Sequence, residues 1–142
     1  MPIIAIGLSH HTSPVEVREK FAFAESEIPA ALEELRRRGL VSEGVIVSTC
    51  NRMELYAVSE SADRKALEGI RNYVASTRGC ADLVNGEMYV YSEPQSLEHL
   101  FKVACGMDSM LLGETEILGQ LKRAYEIALQ NKHTGGRLNK AF

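Results

Sequence analysis

The chain has 142 residues, 45% of them hydrophobic and 25% charged, which suits one domain with a core large enough to need no staples and leaves little room for two. Its net charge of -3 argues against a surface devoted to nucleic acid, which would be strongly basic, but not against contact with the end of one. Three cysteines, at positions 50, 80 and 105, show neither a regular spacing nor a CxxC pair, so a disulfide framework and structural zinc are both disfavoured and free thiols in a reducing cytoplasm are expected.

The elements follow from pattern. The apolar run IIAIGLS, residues 3–9, predicts a buried strand. In TSPVEVREKF, Ser13, Pro14 and Glu16 fit an N-cap, a proline at the first helical position and a capping-box partner, and predict a short helix. Residues 25–39 predict the first full helix, with Ile28, Ala31, Leu32 and Leu35 at helical spacing and Gly39 just past the end. Arg36, Arg37 and Arg38 fall in its last turn, where cations favour the helix dipole. Residues 44–49 and 54–60 read as two strands joined by the link CNRM. Residues 63–76 predict a second helix with Leu67, Ile70 and Val74 inward, and residues 87–93 a fourth strand.

The order β-α-β-β-α-β is the split βαβ, or ferredoxin-like, pattern. The expected fold class is therefore α+β: a four-stranded antiparallel sheet over residues 1–93 with helices on one face, followed by a helical segment over 94–142. In that segment, residues 95–106 place Leu97, Leu100, Phe101 and Ala104 on one stripe. Residues 113–132 place Ile117, Leu121, Ala124, Tyr125 and Ala128 on another. Leu138 and Phe142 look like the start of a further helix, which suggests a chain cut from a longer protein. No signal peptide is expected, and no run approaches the ~18 apolar residues of a membrane span.

Four places carry residue types suited to chemistry. Cys50 follows a predicted strand, with Arg52 two residues on. A cation near a thiol favours the reactive thiolate, and a guanidinium can also grip a carboxylate bidentately; a buried structural cysteine is the plainer alternative. Cys80 and Cys105 have no such company and read as structural. His99 falls opposite the stripe of its helix, toward solvent or a cleft, where an imidazole can act as acid or base; an ordinary exposed histidine fits equally. Glu114 opens a helix but shares the angular position of the apolar stripe, which would aim it at a partner or a ligand amine; a plain N-terminal carboxylate fits as well. His10 and His11, with Cys50 and His99, lack metal-ligand spacing, so no metal is expected. A second class of protein, an RNA-gripping module, would stack bases on Tyr56, Tyr89 and Tyr91; sheet packing explains those rings as well.

Three segments, GLSHHTSPVEVRE (7–19), STCNRMELY (48–56) and GMDSMLLGETEILGQLK (106–122), resemble the N-terminal catalytic domain of glutamyl-tRNA reductases in order and spacing across essentially the whole chain. The resemblance implies an enzyme that makes glutamate-1-semialdehyde from glutamyl-tRNA and NADPH, the first committed step of five-carbon tetrapyrrole synthesis. Cys50 matches the family's nucleophile, which forms a glutamyl thioester that hydride then reduces. His99 matches a histidine important for activity. Thr49, Asn51, Arg52, Ser109, Glu114, Thr115, Glu116 and Gln120 match substrate-binding positions. Family members often have Pro-Gln where this chain has Thr115-Glu116. The resemblance also implies an NADPH-binding domain and a dimerisation helix beyond residue 142, a homodimer in full-length form, a contact with glutamate-1-semialdehyde aminomutase, no membrane contact and a cytoplasmic location. No GxGxxG run follows a strand here, so NADPH is not expected to bind this piece.

Overall fold

A computed structural model of the chain describes residues 3–9, 19–49, 52–59, 64–77, 88–104 and 116–142. The first strand, β1 (Ile3–Ser9), is buried along its whole length. Its near-continuous apolar composition fits, because both of its faces are covered. The predicted short helix after it lies mostly outside the described residues; only residues 19–21 of it are seen, as helix. After a 3₁₀ turn (Glu25–Glu27) comes α1 (Ile28–Arg37), with Ile28, Ala31, Leu32 and Leu35 buried as their spacing requires. Gly39 adopts the left-handed φ of 72°, which ends the helix there: Gly39 N donates to Arg36 O and Leu40 N to Leu35 O. The three arginines of the last turn are engaged locally. Arg37 and Arg38 both bind Glu34, Arg36 donates to Lys132 O, and Arg38 also lies over the Tyr73 ring.

Strands β2 (Glu43–Ser48) and β3 (Arg52–Val58) form a hairpin, α2 (Arg64–Thr77) follows, and β4 (Tyr89–Tyr91) completes the sheet. The strand order is β2-β3-β1-β4 with every pair antiparallel. This is the split βαβ arrangement expected from the element order: β3 lies between β1 and β2, and each helical connection skips one strand. Two boundaries differ from expectation in a way that matters. Strand β3 begins at Arg52 rather than at residue 54, so the link between β2 and β3 is three residues, not four. Strand β4 is three residues long, shorter than its run of aromatic and β-branched residues suggests.

The register sorts side chains between the two faces. On one face lie Ile4, Ile6, Ile46, Leu55 and Ala57; α1 closes over it, with Leu32 and Leu55 both crowding the space above Gly44. The other face carries Ala5, Gly7, Glu54, Tyr56, Tyr89 and Tyr91. It is covered by the last helices, α3 (Gln95–Ala104), α4 (Glu116–Gln130) and α5 (Gly136–Ala141): His99 of α3 reaches Glu54, and Phe142 packs edge-on against Tyr56. Glu43 fixes the last of them, its Oε1 accepting from Gly135 N at 2.7 Å and Leu138 N at 2.9 Å, where a carboxylate suits a helix N-terminus. The helical segment thus closes the second face of the sheet.

Gly7 is the residue that lets the second face hold a charged side chain. A Cβ there would lie 2.2 Å from Met53 O, 2.8 Å from Glu54 Cα and 3.0 Å from Glu54 Cγ. Two of those neighbours are backbone and cannot give way. Gly7→Ala is expected to cost about 2 kcal/mol through overpacking, read as a lowered urea midpoint with unchanged slope.

Candidate functional site

The site is built around the β2–β3 hairpin. Ser48 pairs with Met53. One step further, Thr49 N donates to Arg52 O at 2.8 Å, and Arg52 N donates to Thr49 Oγ1 at 3.2 Å. Only Cys50 and Asn51 separate these two hydrogen-bonded residues in sequence. Both lie outside the described residues, as do Ser109, Glu114 and Thr115; Glu116 opens α4, with its side chain outside the description.

Because β3 starts at Arg52, alternation puts Arg52, Glu54 and Tyr56 on one face. All three are fully buried. Glu54 is the centre of the cluster. Its Oε1 accepts from Tyr56 OH at 3.0 Å and lies 3.7 Å from Arg52 Nη1. Its Oε2 is bonded to Tyr89 OH and to His99 Nε2. The Tyr91 ring centre is 4.9 Å from that of His99, and the Tyr89 ring centre 5.4 Å, so the imidazole packs against the stacked pair of tyrosine rings. Ser9 of β1 bonds to Tyr89.

The charge state follows. Burial pushes the Glu54 carboxyl up, but the His99 hydrogen bond and charge, the Arg52 charge and the Tyr89 hydroxyl together outweigh it and hold the group below its ordinary value. Glu54 is therefore an anion at neutral pH. Burial, then the Glu54 charge, raises both Tyr56 and Tyr89, so their hydroxyls stay protonated and donate.

His99 corrects one expectation. Its side chain is only 11% exposed and faces the sheet, together with Ser96, Leu100 and Val103, while Phe101 is 67% exposed. The apolar stripe misled because the buried face of α3 is partly polar: Ser96 Oγ donates to Ile3 O at 2.7 Å. Of the tyrosines offered to bases by the alternative reading, Tyr56 is buried, and Tyr89 and Tyr91 are half-buried and pack against His99 of α3. Gln120 is exposed on α4 and lines, with Thr49, Ser48, Glu25 and Arg123, a depression of about 150 Å³ beside the hairpin end. Two of the predicted substrate-binding residues thus share one hollow, and a third, Arg52, bonds to Thr49. Sequence reasoning missed Glu54 altogether. The available signal was the pair of opposite charges at alternate positions of a strand otherwise fit to be buried.

Among the described residues no three His, Cys, Asp or Glu side chains gather as a metal site would require, and no helix is long and apolar enough to cross a membrane. His10, His11 and Cys50 lie outside those residues. Among the described residues the strands are antiparallel throughout, and no glycine-rich strand-to-helix turn that could cradle a pyrophosphate occurs.

Fold and cluster together define an α+β domain of the split βαβ type with a buried Arg–Glu–His centre next to a tight hairpin. The chain belongs to the glutamyl-tRNA reductase family: the family described as "Glutamyl-tRNAGlu reductase, N-terminal domain" matches residues 6–142. It is 46% identical to the glutamyl-tRNA reductase of Paenibacillus macerans over 100% of this chain and 32% of that protein. It is 42% identical to that of Desulfatibacillum aliphaticivorans over 99% of this chain and 32% of that one. The solved structure of the Methanopyrus kandleri glutamyl-tRNA reductase superposes with a TM-score of 0.78 at 29% identity, covering 98% of this chain and 31% of that one. The chain spans about a third of the length of the curated relatives it matches.

Proposed function

We propose that these 142 residues form the acyl-capturing domain of an NADPH-dependent glutamyl-tRNA reductase, with Cys50 as nucleophile and NADPH and the dimer contacts held by domains outside them. The observation that carries this reading is the convergence of Thr49, Arg52 and His99, three residues expected from sequence, on one end of the sheet next to Cys50 in the chain. The Cys50 sulfur would attack the ester carbonyl of glutamyl-tRNA. The S–C bond forms, the C–O bond to the terminal ribose breaks, and the thiol proton leaves with the ribose hydroxyl through a base, the role given to His99. Arg52 suits the side-chain carboxylate of the glutamyl group and Glu114 its ammonium; Asn51, Ser109, Thr115, Glu116 and Gln120 complete the binding set. The product is a glutamyl thioester, a better hydride acceptor than the oxygen ester it replaces.

The test is direct. The protein is mixed with tRNA charged with labelled glutamate and denatured in acid, and retained label is measured. Label that hydroxylamine releases is the expected result; a folded protein and intact charged tRNA giving none, in the full-length enzyme as well, would remove the reading. Arg52→Lys is expected to reduce capture roughly 10- to 100-fold, because an ammonium cannot reproduce two parallel bonds to a carboxylate. Unchanged capture by the Lys variant would take Arg52 out of the site.

A further inference from the structure

We infer that Glu54 is the positioning residue of this site: one of its oxygens anchors Arg52 and the other anchors His99, so that guanidinium and imidazole are presented as a single rigid pair. The inference rests on the functional reading above, and its test separates the two.

A wholly buried carboxylate is costly unless every lone pair is used, and an apolar residue of similar volume would pack a sheet as well. The opposite face of the same strand does so, with Met53, Leu55 and Ala57. On the Glu54 face the chain instead supplies matched parts from four elements. Gly7 of β1 leaves the volume that the Glu54 side chain occupies. Arg52 and Tyr56 of β3 serve Oε1. Tyr89 of β4 and His99 of α3 serve Oε2, and Tyr91 walls the imidazole.

The protons follow from the donors. An ionised carboxylate only accepts, so His99 Nε2 carries the hydrogen it shares with Oε2. In the neutral ring that leaves the lone pair on Nδ1, the nitrogen free to take a proton. Glu54 thereby selects one tautomer and one ring orientation. Arg52, tied to the same carboxylate and through its backbone to Thr49, keeps a fixed distance from that ring. Glu54 itself need touch no substrate.

Glu54→Gln tests this sharply, because the amide must choose. Arg52 can only donate, so the amide oxygen turns to it and the amide NH₂ turns to His99, whose Nε2 must then accept. The tautomer inverts. In protein labelled with ¹⁵N-histidine, the neutral His99 ring of the wild type is expected to carry its proton on Nε2, and that of folded Glu54→Gln on Nδ1. Single-turnover thioester formation by Glu54→Gln should fall at least about 100-fold, the scale of a lost acid–base group. Tyr89→Phe removes one hydroxyl from the same oxygen and should keep the Nε2 proton while shifting its resonance. A Glu54→Gln protein with the wild-type tautomer, or with the inverted tautomer and wild-type capture, overturns the inference. Should Glu54→Gln not fold, an unmoved Nε2 resonance in Tyr89→Phe overturns it. A wild type that shows the Nε2 proton yet forms no thioester in full-length form defeats the functional reading instead.

Discussion

Replacing Cys50 with serine will abolish the acid-stable, hydroxylamine-sensitive label that the protein takes up from glutamyl-tRNA. An unperturbed thiol, with a pKa near ~8.5, already exists in part as thiolate at neutral pH, whereas a serine hydroxyl does not ionise there without strong activation. Serine would also exchange one oxygen ester for another, with no gain in reactivity toward hydride. Capture is expected to drop by more than about 10³-fold, as for loss of a nucleophile elsewhere. The substitution is isosteric and leaves Arg52, Glu54 and His99 untouched, so the urea midpoint should correspond to wild-type stability within about 0.5 kcal/mol. Cys80→Ser and Cys105→Ser should both keep the label. Wild-type labelling of the Cys50→Ser protein would take the thiol out of the chemistry. Loss of label in Cys80→Ser with retained fold would move the assignment.

The sheet was legible because its strands are short apolar runs set between turn signals, and because β-α-β-β-α-β order restricts the topology severely. Ile28, Ala31, Leu32 and Leu35 were legible for the same kind of reason: one helix, one apolar stripe, one core. Reading failed where the buried face was not apolar. On α3, Leu100 is buried and Leu97 and Ala104 pack against the core as their spacing requires, but Ser96 and His99 also face the sheet while Phe101 faces out, so counting hydrophobics misplaced the centre of the buried face. On β3, a strand start placed two residues late hid the fact that Arg52 and Glu54 share a face. Burial of a charge is decided by partners that arrive from distant sequence. Two of the four partners of Glu54 are 35 and 45 residues away, at Tyr89 and His99, and no local pattern announces them. Arg52 and His99 were singled out from their residue types and from resemblance; what joins them became visible only with the register.

The same burial predicts the largest change in stability. Glu54→Gln is expected to cost about 3 kcal/mol at neutral pH, because it leaves the Arg52 cation buried against a neutral amide. Against a total of roughly 5–15 kcal/mol for a domain, that is severe but not by itself unfolding. The loss should depend on pH with a definite sign. The folded-state pKa of Glu54 lies below its unfolded value, so ionised Glu54 stabilises the fold fully above the ordinary carboxylate range near ~4.3, and that contribution fades as pH falls through the folded-state value. The difference between wild type and Glu54→Gln should therefore be greatest at pH 7 and shrink steadily in acid. Urea unfolding of both proteins at a series of pH values measures it. A gap that stayed constant down to pH 3 would mean that Glu54 stabilises the fold by shape and neutral hydrogen bonding rather than by charge. The anionic carboxylate that fixes His99 and Arg52 would then have no thermodynamic trace. A gap that closes in acid ties the stability of the sheet to the charge that orders the site.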